Sequence, residues 1–123
     1  MYTDKVKELF LNPKHAGEIE DASGIGEVGN PACGDIMKVF IKVKNGIIKK
    51  ITFRTFGCAA AIASSEALCE LAEGRHVDEA KKITKKDIVD FLGELPPIKF
   101  HCSVLGEEAL KKAIEDYEKK KDR

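Results

Sequence analysis

Asn45-Gly46 lies between two runs in which apolar residues recur at every second position. Met37, Val39, Ile41 and Val43 alternate with Lys38, Phe40, Lys42 and Lys44, and a second run extends from Ile47 to Phe56. Asn-Gly tolerates positive φ at both positions, so the segment 35–56 reads as a β-hairpin. A two-residue loop would set Val39 against Thr52 and Met37 against Arg54. A three-residue loop, Lys44 to Gly46, matches Val43 with Ile47, Val39 with Ile51 and Met37 with Phe53. A one-residue slip exchanges the two faces of a strand, so the apolar pattern selects the three-residue loop. In that register Asp35 faces Thr55, and Cys33 falls opposite Gly57, beside Cys58.

The other elements are helical. Tyr2, Val6, Leu9 and Phe10 recur at helical spacing, and Asn12-Pro13 closes that helix. Residues 16–31 are polar and Gly-rich, with an edge strand near residues 24–29. Ala59 to Ala72 is an Ala-rich helical run ending at Gly74, a C-cap residue. Thr84 with Asp87 three residues on resembles a capping box that opens a helix ending at Leu92, before Gly93. Leu95 to Lys99 reads as extended, because each proline disfavours helix in the residue before it. After Cys102 an amphipathic helix begins, capped by Ser103 and marked by Leu105, Ala109, Leu110, Ala113, Ile114 and Tyr117. The fold class is α+β: a small antiparallel sheet, made of hairpin 35–56 and an edge strand near 24–29, packed against several helices.

At 123 residues the chain fits a single domain spanning 1–123, with a core of useful size. Lys+Arg and Asp+Glu balance at 21 each, which gives no case for nucleic acid, and the basic Lys119-Lys120-Lys121 fits a helix C-terminus. No stretch has the ~18–20 apolar residues of a membrane span, and the N-terminus lacks an apolar signal core. The cytoplasm is the expected location. Four cysteines there should stay reduced, which favours metal binding or thiol chemistry over disulfides.

Three of those cysteines sit beside a glycine, a proline or a second potential ligand: Pro31-Ala32-Cys33-Gly34-Asp35, Phe56-Gly57-Cys58-Ala59 and Lys99-Phe100-His101-Cys102-Ser103. Soft thiolates select zinc, copper(I) or iron–sulfur clusters. The spacings match neither a zinc finger nor a ferredoxin, both built on short Cys-x₂₋₄-Cys steps. Three thiolates with a variable fourth ligand, Asp35 or His101, describe a site that holds a metal or cluster without locking it in. Cys58 and Cys102 fall at helix starts, where amides and dipole lower a thiol's pKa. Cys69 lies about three helical turns beyond Cys58, or ~16 Å along a straight helix, and reads as a packed core thiol. His15 and His76 read as surface loop residues. Other readings stay open on the residues alone: ordinary buried cysteines, a zinc-stabilised binding domain, and a thiol enzyme using Cys58 or Cys102 with His101 as base. The last is weak, since neighbours on an extended segment point to opposite sides.

Taken together, these segments resemble the IscU/NifU-type iron–sulfur cluster assembly scaffolds. Pro31-Ala32-Cys33-Gly34-Asp35, Thr55-Phe56-Gly57-Cys58, Ile62-Ala63-Ser64-Ser65, Leu95-Pro96-Pro97-Ile98-Lys99 and His101-Cys102-Ser103 occur in that family's order, and Tyr2, Lys5-Val6 and Asn12-Pro13 resemble its opening helix. Ile98 stands where valine is usual. The resemblance implies an IscU/SufE-like fold and a non-enzymatic scaffold that builds a transient [2Fe–2S] cluster and hands it to apo-proteins. It implies Cys33, Cys58 and Cys102 as cluster ligands, Asp35 as the residue tied to cluster lability and His101 as a further metal ligand. Iron enters as Fe²⁺, and Zn²⁺ is the alternative occupant. Sulfur arrives as persulfide from a pyridoxal-phosphate cysteine desulfurase, with Cys102 the first acceptor and Cys58 the second. Ferredoxin, a frataxin-like protein and an Hsp70-type chaperone are the implied further partners, the chaperone reading Leu95, Pro96, Pro97, Ile98 and Lys99. Because the chain stops after its last helix, the stand-alone type is expected over the longer NifU type.

Overall fold

The computed structural model describes residues 4–30, 35–56, 59–93 and 100–121. The expected hairpin is its centre. β2 (Asp35–Lys44) and β3 (Ile47–Phe56) run antiparallel, and β1 (Gly24–Asn30) joins the other side of β2, giving the order β1-β2-β3. Around this sheet lie α1 (Asp4–Leu11), α2 (Ala59–Ala72), α3 (Val77–Ala80), α4 (Lys85–Leu92) and α5 (Phe100–Lys121). The α+β class holds, and the edge strand reaches Asn30.

The turn corrects the expected register. Asn45 and Gly46 take φ of +55° and +79°, the left-handed pair of a two-residue type I′ turn. Lys44 accordingly pairs with Ile47, and Val43 with Ile48. The ladder then shifts at a β-bulge that leaves Lys49 without a partner in β2, so that Lys42 faces Lys50, Val39 faces Phe53 and Met37 faces Thr55. Thr55 therefore opposes Met37, not Asp35; the pairing expected for Cys33 and Gly57 lies outside the described residues. The apolar pattern demanded only that the faces match. A longer loop achieves that, and so does a tight loop followed by one surplus residue. Asn-Gly imposes the tight loop, and the bulge restores the faces: Ile48 is buried, Lys49 and Lys50 are both exposed, and Ile51 and Phe53 are buried again.

One face of the sheet carries the core. Met37, Val39, Ile41, Ile48 and Ile51 are fully buried there, and Ala63, Ala67 and Leu68 of α2 and Ile88 and Leu92 of α4 belong to the same cluster. Cys69 is fully buried within it, as its sequence neighbours predict. The Thr84–Asp87 capping box forms as expected, and Gly93 ends α4 at φ +92°. The four-residue α3 carries no periodic signal and was not foreseen; His76 accepts from Asp78 N–H at its start.

α5, 22 residues long, lies against β1. That approach requires glycine in the strand. A Cβ at Gly24 would stand 2.1 Å from the Ala113 carbonyl oxygen, and one at Gly26 2.1 Å from that of Ala109. The Ile25 amide donates to Asp116 Oδ2 at 2.9 Å, and this bond, with Lys120, holds the Asp116 carboxyl below its usual range. α5 starts at Phe100, three residues before the expected cap, so Ser103 is inside its first turn and not its cap. Pro96 and Pro97 restrict only the residues preceding them, leaving Phe100 to His101 free to be helical.

Candidate functional site

Asp35, His101 and Cys102 are the predicted ligands that fall within described elements. Asp35 is the first residue of β2, paired with Asn30, and the next position, Ile36, pairs with Phe56 at the end of β3. His101 and Cys102 lie in the first turn of α5. Cys33, Cys58 and the Leu95, Pro96, Pro97, Ile98, Lys99 segment lie outside the described residues.

Where the first turn of α5 sits follows from its packing. Gly24 meets Ala113 and Tyr117, while Gly26 meets Ala109 and Ala113, so the helix runs antiparallel to β1. Two strand residues advance about 6.6 Å and four helical residues about 6 Å, so the two elements keep step. Continuing four residues along β1 to Asn30, roughly 13 Å, moves about nine residues back along the helix from Ala109, to Phe100. The first turn of α5 is thus level with Asn30 and Asp35. Three backbone ends converge here: the start of β2, the end of β3, which α2 follows from Ala59, and the start of α5. His101 and Cys102 are consecutive in a helix, not on an extended segment, and so are about 100° apart around its axis.

The same end presents apolar surface. Phe56 is 69% exposed and its cross-strand partner Ile36 43%. The two are cross-strand neighbours, so their exposed apolar surfaces adjoin. Behind them, the hairpin's outward face is basic. Lys38 pairs with Arg54 and Lys42 with Lys50, like-charge pairs that repel when directly opposite. The 18–21 loop partly neutralises them, Glu18 meeting Arg54 at 2.5 Å and Asp21 meeting Lys42 at 2.9 Å. The Lys38 ammonium also stands 5.4 Å from the Phe40 ring centroid.

Cys69 reads as a structural thiol. Burial pushes it well up from its ordinary pKa, and Glu66, Glu73 and Glu70 reinforce the shift, as for an inert buried cysteine. His76 is exposed as expected, but His15 is not a free surface residue. Its ring bonds the fully buried Glu66 through Nδ1, and its backbone N–H donates to the same carboxylate at 2.7 Å. Sequence reasoning passed over this pair. The available signal was Glu66 itself, spaced with Ile62 and Cys69 on the inward stripe of α2, where a carboxylate requires a buried partner. Among the described residues no group of three or more His, Cys, Asp or Glu is arranged to hold a metal ion, and no helix is long and apolar enough to cross a membrane.

Comparison with known proteins agrees with the geometry. Residues 1–123 match the NifU-like N terminal domain. The chain is 53% identical over 120 residues to iron–sulfur cluster assembly scaffold protein IscU 1 of Archaeoglobus fulgidus, covering 98% of this chain and 78% of that one. It is 46% identical to the IscU scaffold protein of Escherichia coli, covering 98% and 97%. Among solved structures, the N-terminal part of a nitrogen-fixing NifU-like protein from Brucella abortus superposes with a TM-score of 0.78 at 16% identity, covering 96% of this chain and 94% of that one. A match over the whole chain, near-half identity and a common fold lead to one conclusion: the chain belongs to the IscU/NifU family of NifU-like N-terminal domains.

Proposed function

We infer that this protein is a scaffold on which a labile [2Fe–2S] cluster is assembled from iron and persulfide sulfur and from which it passes to apo-proteins. Cys33, Cys58 and Cys102 are the thiolates that hold it, with Asp35 or His101 as the replaceable fourth ligand. Cys102 is the first persulfide acceptor and Cys58 the second. Residues 1–123 form one scaffold domain, acting in the cytoplasm without turnover of its own. A pyridoxal-phosphate cysteine desulfurase supplies the sulfur; ferredoxin, a frataxin-like protein and an Hsp70-type chaperone at Leu95–Lys99 complete the cycle.

The observation that carries this reading is the convergence of three backbone ends, each adjoining a cysteine in sequence, at one end of the sheet. A site made of ends from three distant segments opens without unfolding the core. The exposed Phe56–Ile36 pair at the same end gives partners a surface to hold. Three thiolates with a hard oxygen ligand bind a cluster less tightly than four thiolates would, and a scaffold must surrender its cargo.

Anaerobic reconstitution with Fe²⁺, cysteine and a desulfurase tests the proposal. A red-brown species with the charge-transfer spectrum of a [2Fe–2S] centre is expected; a protein that stays colourless and keeps stoichiometric zinc would be a zinc-stabilised binding domain instead. Asp35→Ala should slow release of the formed cluster to an apo-ferredoxin, followed by circular dichroism. Unchanged transfer kinetics would remove Asp35 from that role. Cys69→Ser should assemble cluster as the parent does while losing about 1–3 kcal/mol of stability in urea unfolding, the cost of an unpaired buried hydroxyl. A variant that folds but loads no cluster would show Cys69 to be part of the site.

A further inference from the structure

Outside the proposed cluster site, one cluster of titratable groups has two functions in the fold at once. The connector from α1 to β1 runs beside the outer edge of β3, where the Phe53 N–H donates to the His15 carbonyl at 3.0 Å and the Gly17 N–H donates to the Phe53 carbonyl at 2.9 Å. The same His15 reaches α2. Its Nδ1 bonds Glu66, and its Nε2 lies 3.3 Å from Glu73. Both ring nitrogens therefore face carboxylates, an arrangement that only the doubly protonated imidazolium satisfies, since it donates from both. Glu66 has no exposure, and among the described residues its hydrogen-bonding partners are the backbone and ring of His15.

We propose that His15 is a proton-operated clasp: charged, it fastens the 12–17 connector to α2 and along β3; neutral, it lets the connector leave the strand. Glu66 and Glu73 of α2 are the charged groups that face the ring, while β3 offers it only the Phe53 backbone; Arg54 next along is taken by Glu18. Release would leave the Phe53 N–H and C=O unpaired on an open edge, where water exchanges with the amide. This holds whether or not the protein carries a cluster, and its failure would leave the cluster reading untouched.

The sign is fixed by the balance at His15. Burial alone would lower its pKa, but hydrogen bonding and attraction from Glu66 and Glu73 outweigh burial and raise it above 6.5. A raised folded-state value means the clasp's contribution is complete below the ordinary histidine pKa and is lost as pH rises through the folded one. Nuclear magnetic resonance on the wild-type protein reads both parts. The His15 ring should titrate above 6.5, and exchange protection of the Phe53 and Gly17 amides should fall across that titration, tenfold for each unit of upward shift. The Ser23 amide, bonded to the Ile41 carbonyl at 2.7 Å, is the reference and should stay level. In Glu73→Gln, a change at a half-exposed position, the titration should move down and the fall in protection should shrink. His15 titrating at or below 6.5, Phe53 and Gly17 following Ser23 at every pH, or a titration indifferent to Glu73→Gln would each overturn the proposal.

Discussion

Serine in place of Cys102 should give a folded protein that no longer accumulates a cluster. Position 102 is in the first turn of α5, ahead of the stretch from Leu105 to Ile114 that packs into the core, so the circular dichroism and unfolding midpoint should be close to those of the parent. The chemistry should not survive. A serine hydroxyl stays protonated near neutral pH, is a hard ligand, and cannot carry a persulfide. Disturbing the outer shell of a metal site already costs about 10–100-fold in affinity, so loss of a direct ligand should lower cluster yield by at least about tenfold. Mass spectrometry of the anaerobic desulfurase mixture should show the extra sulfur gone from position 102 and, if present at all, on Cys58. A Cys102→Ser protein that forms cluster at the parental rate would remove both roles proposed for this residue.

The second large effect should come from a methyl group. In Gly26→Ala the new Cβ would lie 2.1 Å from the Ala109 carbonyl oxygen and 2.4 Å from the Ala113 nitrogen. Both obstacles are helix backbone, and no rotamer change relieves them; α5 must move bodily away from β1. Overpacking costs about 1–3 kcal/mol where side chains can yield and more where they cannot; with two backbone obstacles the loss should exceed about 3 kcal/mol, a large share of the roughly 5–15 kcal/mol that holds a domain together. A melting-temperature drop on the order of 10 °C is expected in thermal unfolding. Gly74→Ala is the control. It meets nothing within 4 Å and pays only for its φ of +86°, about 1–2 kcal/mol. Equal losses in the two variants would refute the close-approach argument. Because α5 carries Cys102 at its start, Gly26→Ala should also lower cluster yield in whatever fraction stays folded.

Much of this architecture was legible in the chain, and the exceptions have physical causes. Alternation and Asn45-Gly46 gave the hairpin, and Thr84 with Asp87 gave α4, because each is a local signal read over a few residues. The register failed because a bulge restores the faces that a changed loop would also restore. Its trace was there: Ile47-Ile48-Lys49-Lys50-Ile51 doubles an apolar and then a basic residue, a break in strict alternation. The prolines at 96 and 97 constrain only the residue before each, so no local signal separates an extended Phe100 from the helical one that opens α5. The His15–Glu66 bond joins positions 51 residues apart, and no window along the sequence contains it. The cysteine-bearing motifs are legible as motifs; that their flanking backbones share one end of the sheet depends on the antiparallel run of α5 along β1, which only the fold supplies.

Lys49 has a wider consequence for the hairpin. Every cross-strand pair on either side of it would persist in a chain lacking that one residue, since it is the member no partner claims. What would change is direction: a bulge increases local coiling of a ribbon, so the shortened hairpin would point its Ile36–Phe56 extremity elsewhere. A single lysine near the turn thus acts as an aiming device for an extremity several residues away.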